Sequence, residues 1–252
     1  MAGQFDGKVA LVTGSGNGIG RATALAFGRE KAKVVVSDID VGAGEETVRM
    51  IQDLGAEATF VRADVAEESD IKALIEATVK AYGALDCAVN NAGIEGDVLP
   101  IVENPVENWE RVIRINLTGV WLSMKYEIQQ MLTQGGGTIV NMASIEGLIA
   151  FPGASPYVAA KHGVNGITKT AALELMQSNI RVNSVCPGFI DTAMVDRIVK
   201  PVPEVETAIA MSPSARRGRP EEVAEAIIWL CSEKASFVSG HTMAVDGAYV
   251  VQ

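Results

Sequence analysis

The 252-residue chain is 48% hydrophobic and 21% charged, which excludes a disordered or fibrous class and allows one large buried core. Its formal net charge of −10 argues against nucleic-acid binding, since phosphate contact needs a basic surface. No apolar run approaches the roughly 20 residues that span a bilayer.

The opening MAGQFDGKVALVTG has no basic region leading into a long apolar stretch, so no signal peptide is expected. Cys87, Cys186 and Cys231 are widely spaced in apolar runs, without metal or redox spacing, and read as buried thiols. The expectation is a soluble cytoplasmic protein with neither a nucleic-acid nor a membrane partner.

In chain order, strands are predicted at Lys8–Thr13, Lys33–Ser37, Thr59–Arg62, Leu85–Val89, Gly137–Met142, Arg181–Cys186 and Thr242–Val245. Their residues are apolar consecutively rather than alternately, as in a sheet covered on both faces. Amphipathic helices are predicted at Arg21–Lys31, Gly44–Leu54, Glu68–Tyr82, Trp109–Leu132, Tyr157–Met176 and Pro220–Cys231. The alternation predicts an α/β fold, a doubly wound Rossmann-type parallel sheet with helices on both faces, as a single domain over residues 1–252. The least regular stretch, Phe189–Arg219, carries Pro201, Pro203 and Pro213 among apolar Met194, Ile198, Ile209 and Met211. It reads as a lid over a ligand, the alternative being a surface excursion that covers core.

Thr13-Gly14-Ser15-Gly16-Asn17-Gly18-Ile19-Gly20 follows the first strand and opens the first helix. Glycines there let backbone N–H groups approach a pyrophosphate at the positive helix end. The spacing is TGxxxGxG, not the commoner GxGxxG, and a turn with no ligand stays open. The second strand ends in Ser37-Asp38-Ile39-Asp40. Asp38 can accept hydrogen bonds from both ribose hydroxyls of NAD and would repel the 2′-phosphate of NADP. NAD(H) is therefore favoured over NADP(H); Asp40 is the better candidate for a turn or capping residue. Asp64-Val65 and Asn90-Asn91-Ala92-Gly93 fall at carboxyl ends of strands, where open α/β sheets bind ligands.

Tyr157 and Lys161 are four apart in a predicted helix and share a face. A free tyrosine, with a pKa near 10, is a poor acid–base group at neutral pH, and a neighbouring ammonium is expected to lower that value. Such a pair also occurs on solvated helix faces. Ser144, just after the fifth strand, faces the same crevice and could hydrogen-bond a substrate oxygen. Asn116, among Val112, Ile113, Ile115 and Leu117, needs a hydrogen-bond partner if buried. It reads either as a structural bond in a helix kink or as part of a proton relay.

These motifs together resemble the short-chain dehydrogenase/reductase family over essentially the whole chain. The likeness lies in the glycine turn, Asn90–Gly93, the set Asn116, Ser144, Tyr157 and Lys161, the Pro187-Gly188 turn with Ile190 and Thr192, and Val245-Asp246-Gly247. One departure is Ala248, where the family has glycine. The resemblance implies hydride transfer between a nicotinamide and a secondary alcohol or ketone. Tyr157 would be the acid–base group and Ser144 would hold the substrate oxygen. Lys161 would tune Tyr157 and bind the nicotinamide ribose, and Asn116 would hold a water linking Lys161 to solvent. It also implies cofactor contacts at Gly14, Asn17, Gly18, Ile19, Gly20, Asp38, Asp64, Val65, Asn91, Ala92, Gly93, Pro187, Gly188, Ile190 and Thr192.

Substrate identity should lie in Ile94–Val98, Ile145–Phe151 and Phe189–Met211, a mainly apolar pocket with Glu95 and Glu146 as possible polar discriminators. The small-molecule partner is an alcohol or ketone, and a small cyclic or aryl-substituted one is the expectation. By analogy with the family the assembly is a homotetramer. No metal is expected, and His162 lies on another helix face from Lys161. The rival readings are an NAD-binding regulator without turnover, C=C reduction, or epimerisation. The Tyr157–Lys161 spacing disfavours C=C reduction, because enoyl reductases of this family usually space the two further apart.

Overall fold

The computed structural model describes residues 3–199 and 203–252. Seven strands form one sheet in the order β3-β2-β1-β4-β5-β6-β7, and all six pairings are parallel. They are β1 (Val9–Thr13), β2 (Lys33–Asp38), β3 (Ala58–Arg62), β4 (Cys87–Asn90), β5 (Gly137–Met142), β6 (Ile180–Pro187) and β7 (Thr242–Val245). The order reverses between β1 and β4. Ligands of doubly wound sheets bind beyond the strand carboxyl ends at such a point.

Consecutive apolar residues follow from the double covering. Ala10 and Val12 of β1 pack with α1 (Gly18–Arg29) and α9 (Pro220–Cys231), whereas Leu11 between them packs on the other face. That second face is covered by α3 (Glu68–Tyr82), α5 (Gly119–Gln134) and α6 (Ser155–Leu175), while α2 (Val41–Asp53) joins α1 on the first. All three cysteines are buried and free, as their apolar settings predicted.

Two expectations need correction. The helix predicted as continuous over Trp109–Leu132 is α4 (Val106–Ile113), a π-turn at Arg114–Thr118 and then α5. The apolar run hid the break, because the polar residue inside it, Asn116, turns inward to bond backbone rather than outward to water. The stretch predicted as irregular contains two short helices, α7 (Ala193–Val199) and α8 (Pro203–Met211). Its base is closed by an Ile190–Gly218 bridge. Pro201 lies outside the described residues.

Candidate active site

The glycine turn is shaped by close backbone approaches. Gly14 has φ +61°, and a Cβ there would meet Ala92 Cα at 2.7 Å; a Cβ on Gly20 would meet the Gly14 carbonyl oxygen at 2.2 Å. Asn91 ties this turn to β4. Its side-chain amide donates to the carbonyls of Thr13 (3.0 Å) and Gly14 (2.9 Å), and its backbone N–H donates to Thr13 Oγ1 (3.1 Å). Asn17 precedes α1 in extended conformation without a side-chain cap bond, which leaves the first-turn N–H groups available to a phosphate.

At the end of β2, Asp38 Oδ2 accepts from Gly16 N–H (2.8 Å) and Oδ1 from Asp40 N–H (3.0 Å). The carboxylate is thus held beside the glycine turn. Arg21 of α1 is engaged with Thr47 Oγ1 and the Ala43 carbonyl. Asp40 caps α2 through Ala43 N–H, as the sequence suggested.

Val65 and Ala92 share a small cleft with Thr13 and Gly119, while Asp64 Oδ1 accepts from Ala66 N–H in a local turn. Gly188, after Pro187 at the end of β6, donates its N–H to Val245 (3.1 Å). Thr192 lies over the glycine turn, its Cγ2 3.3 Å from where a Cβ on Gly18 would be. Ile190 is buried beneath. These features fit a dinucleotide: a backbone cradle a side chain would fill, open helix-end donors, and an oriented carboxylate at the far end.

At the other end of the crevice, Lys161 Nζ lies 5.4 Å from the centroid of the Tyr157 ring on α6 and donates to the Met142 carbonyl (2.7 Å). A Cβ on Gly93 would sit 3.1 Å from Asn116 Oδ1 and 3.7 Å from Lys161 Nζ, so these three meet. In the π-turn, Asn116 accepts from Ile94 N–H (2.8 Å) and donates to the Ile94 carbonyl (2.7 Å). That is the structural bond at a helix irregularity foreseen as one reading of this residue. Ser144 Oγ accepts from Glu146 N–H (3.1 Å) and faces the phenol, which its hydrogen bond helps towards ionisation.

The expected lowering of the Tyr157 pKa is not found. Burial holds the phenol well above its ordinary value, and the nearby Glu146 and Glu95 carboxylates add to the effect. The same burial lowers Lys161 to about 8 and raises Glu146 to about 7. Lys161 directs a proton at the Met142 carbonyl, and desolvation weakens the ammonium that was to favour the phenolate.

The segments expected to line the substrate pocket share an aromatic group that was only partly foreseen. Phe151, Phe189 and Tyr249 form an aromatic group with ring centroids 5.3 to 6.1 Å apart. Tyr249 was missed; an aromatic residue just beyond the Val245-Asp246-Gly247 close was the available signal. Glu95 pairs with Arg197 of α7, joining the loop after Gly93 to the stretch read as a lid. His162 is exposed and its ring nitrogen meets the Val158 carbonyl. Among the described residues no His/Cys/Asp/Glu group could hold a metal ion.

Comparison with known proteins agrees with this architecture. The family model described as Enoyl-(Acyl carrier protein) reductase matches residues 14–249. The chain is 47% identical over 249 residues to a cyclohexanol dehydrogenase of Acinetobacter sp. (strain SE19), covering 99% of this chain and 97% of that protein. Its structure resembles levodione reductase (TM-score 0.96, 35% identity, 98% and 99% covered). It also resembles an NAD+-bound xylitol dehydrogenase (TM-score 0.93, 32% identity, 96% and 99% covered). The chain belongs to the short-chain dehydrogenase/reductase family. It is an oxidoreductase acting between a secondary alcohol and a ketone.

Proposed function

We propose that the chain is an NAD(H)-dependent dehydrogenase of a small cyclic secondary alcohol, working equally as a reductase of the corresponding ketone. The observation that carries this reading is the meeting of Gly93, Asn116 and Lys161 beside the Tyr157 ring, at the inner end of the glycine-lined crevice.

The nicotinamide, when bound, supplies or accepts the hydride. Ser144 Oγ holds the substrate oxygen. The Tyr157 hydroxyl gives that oxygen its proton in reduction and removes it in oxidation. The high pKa of the phenol keeps it protonated and ready for the reductive direction. Lys161 binds the nicotinamide ribose hydroxyls, and a water between Asn116 and Lys161 passes the proton outward. Gly14, Asn17 to Gly20, and Asn91 to Gly93 form the pyrophosphate and nicotinamide floor. Asp64 and Val65 would hold the adenine, and Pro187, Gly188, Ile190 and Thr192 would hold the carboxamide end. Residues 189–219 act as the lid.

The preference for NAD(H) is supported by Asp38, which lies against the glycine turn with no basic side chain bonded to it among the described residues. A cyclic substrate is supported by the aromatic wall and by the relative that acts on cyclohexanol. A homotetramer is supported by exposed Trp109, Trp121, Leu173 and Phe237, apolar surfaces that a partner copy would cover. The buried free thiols fit a reducing cytoplasm.

Enoyl reduction is the second reading, raised by the matched family's description. The Tyr157–Lys161 spacing of one helical turn disfavours it. The test is a coupled assay of cyclohexanol, cyclohexanone and an enoyl thioester with NAD(H) and NADP(H). NADH formation from cyclohexanol is the expected result, and turnover of the thioester alone would overturn the reading.

A further inference from the structure

Two carboxyl groups lie near the Tyr157 phenol, and their situations differ. Glu95 is paired with Arg197. Glu146 has no such partner: its Oε2 is buried and without a hydrogen bond among the described residues. Lys161, whose charge it feels, donates its hydrogen bond to the Met142 carbonyl instead. A buried carboxylate oxygen without a donor is costly, and native structures rarely keep one without a reason.

The position of Glu146 is fixed by backbone. It is the middle residue of a 3-10 turn, Ile145–Gly147, directly after Ser144. Its N–H donates to Ser144 Oγ (3.1 Å), and Gly147 N–H donates to the Ser144 carbonyl (2.8 Å). Asn165 on α6 donates to the Gly147 carbonyl (3.0 Å), and a Cβ on Gly147 would meet the Lys161 carbonyl oxygen at 2.8 Å. The turn is therefore clamped between Ser144 and the Tyr157–Lys161 helix. Its acidic side chain is near enough to the Tyr157 phenol to oppose ionisation there, one turn from the Ser144 hydroxyl that would hold the reacting oxygen.

We infer that Glu146 is a specificity residue that accepts a hydrogen bond from a second hydroxyl on the substrate ring, apart from the carbinol held by Ser144 and Tyr157. The inference rests on the site reading proposed above and deepens it to a substrate class, cyclic diols or hydroxyketones. A neutral donor suits the place better than an ammonium, which would have to sit beside Lys161. A carboxyl raised to about 7 also pairs with hydroxyl groups in either protonation state.

The test compares kcat/KM for cyclohexanol, the 1,2-, 1,3- and 1,4-cyclohexanediols, their monomethyl ethers and 4-aminocyclohexanol with NAD, in the wild type, Glu146→Ala and Glu146→Gln. The wild type should prefer at least one diol over cyclohexanol and over its methyl ether by about tenfold or more, as loss of a hydrogen bond to a charged group requires. Glu146→Ala should erase that ratio through KM, and Glu146→Gln, which keeps a neutral carbonyl acceptor, should retain part of it. The ether comparison needs no substitution and stands even if the alanine variant fails to fold. Equal losses on cyclohexanol and diol, an unchanged ratio, or a greater loss on the amine would each overturn the inference alone. Absence of NAD-linked turnover of every alcohol would overturn the underlying reading and this one with it.

Discussion

The two ends of the crevice are built by different means. The glycine-turn end is made mostly of backbone: Gly14, Gly20 and Thr13, tied by the Asn91 side-chain amide, approach within hydrogen-bond or steric contact, and among the described residues no ion pair holds them. The substrate end is made of side chains carried on loops and short helices. The Phe151–Phe189–Tyr249 rings, the Glu95–Arg197 pair and the ties from Arg217 to Asp196 (2.7 Å) and Glu206 (2.6 Å) hold it. Backbone cradles tolerate almost no substitution, whereas side-chain walls can be exchanged and alter selectivity. A common cofactor chemistry can thereby serve many substrates.

Four substitutions would break or sharpen that contrast. The largest effect is expected at the phenol. Tyr157→Phe should lower kcat by about a thousandfold or more while NADH still binds, measured by steady-state rates and by cofactor fluorescence. Near-wild-type turnover would remove Tyr157 from the mechanism. In the wild type, alcohol oxidation should climb as pH rises, because the phenol must give up its proton and burial beside Glu146 and Glu95 holds that proton on. Ketone reduction uses the protonated phenol and should stay level through neutral and mildly alkaline pH, because the phenol keeps its proton there; the same slope in both directions would contradict this assignment.

Next in size is Asp38→Ala at the glycine-turn end. The ratio of kcat/KM for NAD over NADP should fall by about 10- to 100-fold, since the change removes both ribose acceptors and the repulsion of a 2′-phosphate. Alcohol selectivity should stay as it was, and a changed selectivity would erase the division between the ends. Arg197→Ala, at the substrate end, should do the reverse. Substrate KM should rise about two- to fivefold, as expected for an exposed ion pair, with cofactor KM unmoved. The smallest effect is expected from Ala248→Gly. Ala248 has φ +70°, a conformation that costs a non-glycine residue energy, which gives physical content to the glycine found there in the family. Relief of that strain should exceed the added chain entropy by about 0.5 kcal/mol, seen as a rise of about 1–2 °C in Tm.

This division also decides what the sequence made legible. Strands β1 to β7 and the glycine turn are written in local patterns, because a doubly covered sheet needs consecutive apolar residues and a tight turn needs glycine. That Asp38 lies beside the glycine turn was legible because its spacing from the turn follows from one strand–helix–strand unit. Tyr249 was missed because its place against Phe151 and Phe189 depends on where β7 ends relative to β6, a long-range relation with no local mark. The direction of the Tyr157 shift was misjudged for a related reason. Spacing on a helix brings a lysine near a phenol, but it says nothing of how far both are withdrawn from water or which carboxylates approach from other elements.

The π-turn has a consequence for the helix that contains it. Asn108, Val112, Asn116, Val120 and Met124 are all buried, and they recur every fourth residue. In a regular α-helix that step drifts round the axis by about 40° each time, so the line would soon leave the core. One additional residue in a widened turn absorbs about 100° of that drift. Winding residues 114–118 into a regular α-helix with no residue removed would restore that drift. Asn108 and Val112 would then swing away from the sheet, and the segment Asn108 anchors beside Asp97 would lose its seat. The irregularity therefore acts as a phase correction, keeping one face of a two-part helix turned inward along its whole length.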